Sequence, residues 1–489
     1  MKKDSKTRRR HRREDACSVC LRKVQAEEGT GGLCKYPSAS PSSTPHSSLT
    51  ALHTQQRAVQ QSFPPVFFLD MDIFRQAQLE LPRPGLVVPL YVSDLLGGDD
   101  KVRQMATTFF SNIHPWMPFI SKTLAYKHLL SPLSPVHADS TLLLLSIQLI
   151  NWIPSASTNP KTPTYTAAKQ FFLELEAAGS FSIRIVQAGL LIGLYELGHC
   201  IYPAAYMTVG ACARHAVALG FDKDIRQDNA TELPWDKVEE RRRVWWAILI
   251  LDRFMNLGNP PRMLATADPG TGDILPADDT LWEQGLLPSS EPSTIGSSSQ
   301  LKMGRFARFA QATYLLGQVF RHVSDHQRDD TFFEQEAAQL NRTLHALIHL
   351  SRSEAEMRGL EFCTQTAVCY CALLILEYPS SPKRNSALVG GQLDDYPTVG
   401  PDVISRESAR MSQNFLPGGY IPLVEVSPFV LHLLYKCCII LSSSSREPTV
   451  EDANSLTTLQ EALKFLTQRW LASEAYLNIL AARKTMFEI

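Results

Sequence analysis

The amino-acid sequence predicts an all-α protein on three observations. From about Asp100 to Ala372, apolar residues recur in long segments at helical spacing. Strand-type alternation is scarce over the same stretch, and the breaks between segments carry Pro and Gly. At 489 residues a single small core does not suffice, so the expectation is several cores or one large helical assembly. Apolar usage of 44% and charged usage of 20% exclude a wholly disordered or collagen-like chain. The sequence has no fixed-period self-similarity, which argues against a regular solenoid.

Taken in order, the chain divides into five parts. Residues 1–36 are basic: Lys2, Lys3, Lys6, Arg8, Arg9, Arg10, Arg12 and Arg13 crowd the start, although the whole chain balances 48 Lys+Arg against 49 Asp+Glu. The same segment holds Cys17, Cys20 and Cys34. Residues 37–99 read as a Ser/Pro/Gln-rich disordered linker and approach segment. Residues 100–378 are the all-α body, with a polar surface loop at Pro288–Gln300. Residues 379–413, rich in Ser, Pro and Gly, read as a polar loop, and 414–489 as C-terminal helices packing on the body.

Two helices within the body can be argued residue by residue. In Pro203–Gly220, the residues Ala204, Ala205, Gly210, Ala211, Ala213 and Ala216 permit close packing, and Gly220 suits a left-handed stop. Asp222 and Asp224 then open a polar turn. Downstream, Asp236 and Glu239 have the spacing of a capping box and Pro234 limits extension, which starts the next helix near Lys237. Its body, Val244-Trp245-Trp246-Ala247-Ile248-Leu249-Ile250-Leu251, is apolar on every side and predicts burial at the centre of the protein. Asp252 and Arg253 lie at its end, where a charge needs a partner, so structural ion pairing is the expectation.

The N-terminus lacks the apolar stretch of a secretory signal, so export is not expected. The longest apolar runs, Leu142–Ile153 and Phe429–Leu441, fall short of the ~18–20 residues that span a bilayer, and no membrane partner is expected. The ten cysteines are scattered, with Cys363, Cys369 and Cys371 in helix-like apolar sequence, which fits a reducing compartment. The sequons at Asn229 and Asn341 are then expected to be unmodified. His-Glu-x-x-His, P-loop, Gly-x-Gly-x-x-Gly and Gly-x-Ser-x-Gly patterns are absent, and the histidines are dispersed, so no enzyme is predicted.

Three segments together resemble the middle homology region of the fungal Zn(II)2Cys6 zinc-cluster transcription factors. Phe109-Phe110-Ser111-Asn112-Ile113-His114-Pro115-Trp116-Met117-Pro118-Phe119-Ile120 is similar to the family's opening motif. Gly210-Ala211-Cys212-Ala213-Arg214-His215-Ala216-Val217-Ala218-Leu219-Gly220-Phe221 is similar to its small-residue helix ending in Leu-Gly. The stretch with Arg241, Arg242, Arg243, Trp245 and Trp246, followed by Asp252 and Arg253, resembles its most recognisable stretch, and Pro261-Arg262 sits where the family has a short turn before an acidic loop. The resemblance covers roughly residues 100–350 and implies an all-α regulatory domain behind an N-terminal DNA-binding cluster.

In that family six thiolates hold two zinc ions. Here Cys17-Ser-Val-Cys20 and Leu33-Cys34-Lys35-Tyr36-Pro37 resemble only the second half, and Arg10 stands about where a further Cys would fall. Cys17, Cys20 and Cys34 are therefore a candidate partial zinc site. They could also bind a single ion with His11 or His46, or no metal at all. Lys6, Arg8, Arg9, Arg10, Arg12, Arg13, Arg22 and Lys23 are candidate nonspecific phosphate contacts, because basic side chains displace counterions from DNA without an ordered fold. They also suit a nuclear import signal. A half cluster suggests that Met1 is not the native start or that a splice junction near Arg8–Asp15 is misplaced.

The expected function is that of a fungal nuclear transcription regulator, controlling RNA polymerase II genes through the helical domain and a zinc-cluster remnant. The alternative is a regulator without its own specific DNA binding, acting through a homodimer or other regulators. An all-α enzyme on an apolar substrate is the third reading. No heptad pattern long enough for a coiled coil follows Cys34.

Overall fold

A computed structural model describes residues 63–81, 86–131, 137–155, 159–226, 233–288, 291–297, 303–325, 330–358, 363–377, 400–443 and 449–487. All of these fall in one unit, Gln60–Ile489. Among the described residues the structure is α-helical, with an isolated antiparallel bridge, Ile274 to Thr294, as its sole extended pairing. The helices in chain order are α1 Val66–Leu69, α2 Met71–Gln76, α3 Leu90–Leu96, α4 Asp99–Asn112, α5 Ala138–Ile150, α6 Pro163–Ala177, α7 Ile183–Gly198 and α8 Ala204–Ala218. They continue as α9 Trp235–Phe254, α10 Arg305–Ser324, α11 Asp330–Arg358, α12 Cys363–Glu377, α13 Pro401–Ser412, α14 Leu431–Ser443, α15 Val450–Leu466 and α16 Ala472–Phe487, with further short helices at Lys122–Leu124, Phe221–Asp224 and Asp279–Glu283. None is long and apolar enough to cross a membrane.

One apolar core runs from Val92 in α3 to Ala472 in α16. α7 packs against α5, α6, α8 and α9; α9 packs on α10; α10, α11 and α12 form a second group; and α13 to α16 form a third. The α7–α8 contact is close because α7 carries glycine at the crossing. A Cβ on Gly189 would stand 2.5 Å from Cys212 Sγ, and one on Gly193 would stand 3.0 Å from a Val209 methyl. Gly220 adopts the left-handed conformation at φ 81°, after which Phe221–Asp224 makes one helical turn.

Local chemistry sets several helix starts. Thr162 accepts a hydrogen bond from the Tyr165 N–H just ahead of Pro163 in α6, and Thr449 with Asp452 forms a reciprocal capping box on α15. α9 departs from its predicted start. It begins at Trp235 after Pro234, without a side-chain cap; Asp236 lies inside the first turn, and Glu239 turns inward rather than back to the cap.

Two predicted irregular segments contain helices. In the segment read as a linker, 37–99, the described part forms α1, α2 and α3, and Phe67, Phe74, Val92 and Leu96 are buried. A few apolar residues at helical spacing suffice there, and the Ser/Pro-rich composition lies upstream of them. In the segment read as a polar loop, 379–413, α13 packs on α14 and α15. Its buried face is Ile404, Ser405, Ser408, Ala409 and Ser412. Each serine hydroxyl donates to the carbonyl four residues earlier, Ser405 to Pro401 (2.8 Å), Ser408 to Ile404 (2.7 Å) and Ser412 to Ser408 (2.8 Å). A serine whose hydroxyl is satisfied inside the helix buries as a small residue, so a sequence that reads as polar makes a core face.

Candidate functional site

The three segments that carry the family resemblance converge on α9. Glu239 sits at the start, fully buried, with Oε1 accepting from Arg243 Nε (2.8 Å) and the Ala277 N–H (2.8 Å) and Oε2 accepting from Arg242 Nη1 (2.7 Å). Arg243 extends this network. Its Nη1 donates to Asp279 Oδ1 (2.9 Å) and Pro118 O (3.1 Å), and its Nη2 donates to Ala277 O (2.7 Å). Its guanidinium lies 4.0 Å from the centre of the Trp282 ring. The Ala277 peptide is thereby held from both sides by one helix turn.

His114 joins the same cluster from the first segment. Its ring stacks parallel to Trp282 (8° between planes, 6.0 Å between centroids), and its Nε2 lies 3.0 Å from Ile120 O. The carbonyl can only accept, so Nε2 carries the proton. Burial, reinforced by the Arg243 charge, pushes the His114 pKa down to about 3 and keeps the ring neutral. Glu240, whose pKa burial raises, accepts from the Ser121 N–H (2.8 Å) and Gln187 Nε2 (3.1 Å), joining the first segment to α7.

The second segment is held by Arg241. Its Nε donates to Asp224 Oδ2 (2.7 Å), its Nη2 donates to Leu219 O (2.9 Å), and its guanidinium lies over Phe221 at 4.8 Å. The three consecutive arginines thus have three separate tasks: Arg241 fixes the end of α8, Arg242 pairs with Glu239, and Arg243 fixes the 277–282 stretch and the His114 segment. Trp245 and Trp246 follow in the core at 3% and 0% exposure, and Trp246 Nε1 donates to Ile274 O (3.0 Å).

The far end of α9 treats the same loop in the same way. Asp252 accepts from the N–H groups of Ala265 (3.1 Å) and Thr266 (2.9 Å) and from the Thr266 hydroxyl (2.7 Å). Arg253 donates to Thr266, to Ala267 O (3.0 Å) and to Asp268 Oδ1 (3.0 Å). Arg262, beyond Pro261, lies over Tyr206 of α8 at 5.5 Å. The chain from 255 to 283, nearly without regular structure, is therefore fastened by α9 at both ends and in the middle.

Sequence reasoning missed other buried polar groups. Arg308 and Glu354 pair through two hydrogen bonds of 2.9 and 2.7 Å, and Arg469 reaches the end of α5. Glu196 accepts from Tyr165 (2.9 Å) and Thr208 (2.5 Å) and pairs with Lys169 (3.0 Å). Nothing in local spacing marks these, because each partner is supplied by a different helix. Cys17, Cys20, Cys34 and the basic residues from Lys6 to Lys23 lie outside the described residues. Among the described residues, no group of three or more His, Cys, Asp or Glu is arranged to hold a metal ion.

The charged motif of this α-helical body is thus consumed in holding the body's own loops. The comparison with known families gives the class its name: residues 106–376 match the fungal specific transcription factor domain, and the chain belongs to that family. It is a fungal transcription regulator, and the family's members are transcription factors rather than enzymes. Among curated relatives, it is 34% identical over 178 residues to transcription factor BOA15 of Botryotinia fuckeliana, a match covering 36% of this chain and 98% of that one. It is 26% identical to transcription factor tazR of Aspergillus terreus over 31% of this chain and 25% of that one. It is 31% identical to the Zn(2)-C6 fungal-type transcription factor FTF1c of Fusarium oxysporum over 18% of this chain and 10% of that one. The chain therefore spans nearly all of the first relative but a quarter or less of the other two. No solved structure matches it.

Proposed function

We propose that this regulator acts in the nucleus on RNA polymerase II genes, with residues 100–378 as the regulatory domain and the basic N-terminal segment as the part that meets DNA. One observation carries the division of labour. Of the two arginine-rich runs in the chain, Arg241-Arg242-Arg243 is tied up in internal pairs and carbonyl contacts, with Arg242 and Arg243 buried. That leaves Lys6 to Lys23 as the run free by composition to neutralise phosphates. The C-terminal helices and α13 complete the body, and homodimer or regulator contacts fall to its surface. Met207 and Met263, 64% and 89% exposed, flank the Tyr206–Arg262 contact and support such a contact there.

Zinc enters through the names of the Zn(2)-C6 relatives. The donors do not fit a two-zinc cluster: the N-terminal segment supplies three thiolates, and of the six body cysteines whose burial is described five are buried in helices. The DNA contact is accordingly derived without metal, and Cys17, Cys20 and Cys34 are proposed to hold no more than about one zinc ion per chain. The test is affinity for duplex DNA against salt. The expected result is a steep fall, ~0.9 in log affinity per phosphate contact for each tenfold in salt, with little sequence preference. Alanine at Arg8, Arg9, Arg10, Arg12 and Arg13 should flatten the slope. A footprint at a defined motif that survives moderate salt, with two zinc ions by elemental analysis, would overturn this reading.

A further inference from the structure

The first two helices divide their apolar residues between the core and water. α1 and α2 bury Phe67 and Phe74, whose rings meet edge-on at 5.1 Å between centroids. Phe67 also meets Phe181 at 5.8 Å, and Phe63 meets it at 5.4 Å, which fastens the pair to the turn ahead of α7. The same two helices leave Phe68, Leu69 and Ile73 in water, at 64%, 83% and 39% exposure. Single exposed apolar residues are ordinary, but three within six positions form a patch. Its shape is fixed, because the Asp70 carboxylate accepts from the Ile73 N–H (3.1 Å) and holds the turn between α1 and α2.

The charge around the patch selects what can cover it. Among residues 63–81, Asp70, Asp72 and Glu80 are exposed, against one basic residue, Arg75. A phosphate backbone would be repelled by such a face. A second copy seated across a two-fold axis would set Asp70 and Asp72 against themselves, and like charges so placed are costly. A protein groove with an apolar floor and a Lys- or Arg-bearing rim gains on both counts. Acidic residues interleaved with apolar ones are also the composition of activating segments, and a helix laid in a groove is how such side chains are read.

We infer that α1 and α2 are the face through which this regulator recruits a coactivator protein, one whose groove is apolar and rimmed with Lys or Arg. Phe68, Leu69 and Ile73 are the anchors, and Asp70 and Asp72 set orientation and partner choice. The buried side of the helices already holds them in shape, so docking has little left to order. The inference is separate from the DNA contact of the N-terminal run.

The experiment fuses the full chain to a heterologous DNA-binding domain and reads a reporter gene in a fungal cell, so the chain's own DNA contact is not required. The parent should raise output above that of the fused domain alone. Leu69→Ser and Ile73→Ser should each lower the gain about fivefold at equal protein level, through loss of one anchor. Asp72→Glu should match the parent, Asp72→Asn should fall about twofold and Asp72→Lys about tenfold, because a basic rim distinguishes the last two. Val450→Ser, similarly exposed at the start of α15, should change nothing. No gain from the parent, or Leu69→Ser and Asp72→Lys at the parent's level or above it, would overturn the inference. A parent dimer in sedimentation that Leu69→Ser dissociates would also overturn it, since a second copy then covers the face. Should Leu69→Ser fail to fold by circular dichroism, Asp72→Lys decides alone.

Discussion

The buried arginines of α9 and the buried Arg469 between α15 and α16 show two ways of keeping a guanidinium out of water. Arg243 and Arg253 are matched by carboxylates: Glu239 and Asp279 for the first, Asp252 and Asp268 for the second. Arg469 has no ion pair among the described residues. It donates to Ile150 O (2.8 Å) and Trp152 O (2.8 Å) at the end of α5 and lies 3.9 Å from the centre of the Trp470 ring. The last carbonyls of a helix lack partners within it and form the negative end of its dipole, so a helix terminus substitutes for a counter-ion. Arg243 and Arg469 each also have a buried neutral histidine for company, His114 beside Trp282 and His199 beside Trp470, both with pKa values lowered to about 3 by burial and a nearby arginine. The two differ in reach: α9 fastens its following loop and a segment 125 residues upstream, and Arg469 ties the C-terminal helices to the first group across more than 300 residues.

The comparison breaks most readily at Arg243. Arg243→Ala abandons two carboxylates and two carbonyls, and a cost of about 3–5 kcal/mol in urea denaturation is expected. Arg469→Ala abandons carbonyls alone and should cost less, about 2–3 kcal/mol. Equal losses for the two would show that the carboxylates contribute nothing beyond an acceptor.

Acid sharpens what the two sites share. A histidine whose folded pKa is depressed contributes stability that is present above its unfolded value, about 6.5, and is lost as pH falls toward the folded value. With His114 at about 3, its share of the loss at pH 5 should be about 2 kcal/mol relative to pH 7. His114→Gln should therefore show a smaller drop in urea midpoint between pH 7 and pH 5 than the parent chain. An identical drop would mean that His114 titrates in the folded protein near its unfolded value. The smallest effect provides the baseline: Arg9→Ala, in the basic N-terminal run, should change stability by no more than about 0.5 kcal/mol.

How much of this was legible varies by element. α9 could be placed at the centre because Val244–Leu251 is apolar on all faces, and such a helix has no solvent face to offer. That Asp252 and Arg253 need partners follows from the same surroundings, but Thr266 and Asp268 as those partners do not. α13 was illegible because serine carries the same letter whether its hydroxyl faces water or its own helix backbone. Glu239 suggested a cap by its spacing, and the buried Arg242 and Arg243 drew it inward instead.

The sequence by itself determined the helical class, the left-handed stop at Gly220 and the family, because periodicity, glycine conformation and short motifs are local and survive without knowledge of neighbours. Tertiary structure alone decided what each arginine of the motif does, how Arg469 is neutralised and which apolar residues of α1 and α2 stay in water. Those outcomes depend on which distant carboxylates, carbonyls and apolar faces arrive at one point. The free energy of a buried charge or an apolar side chain is set by the groups around it, and these come from parts of the chain that no sequence window joins.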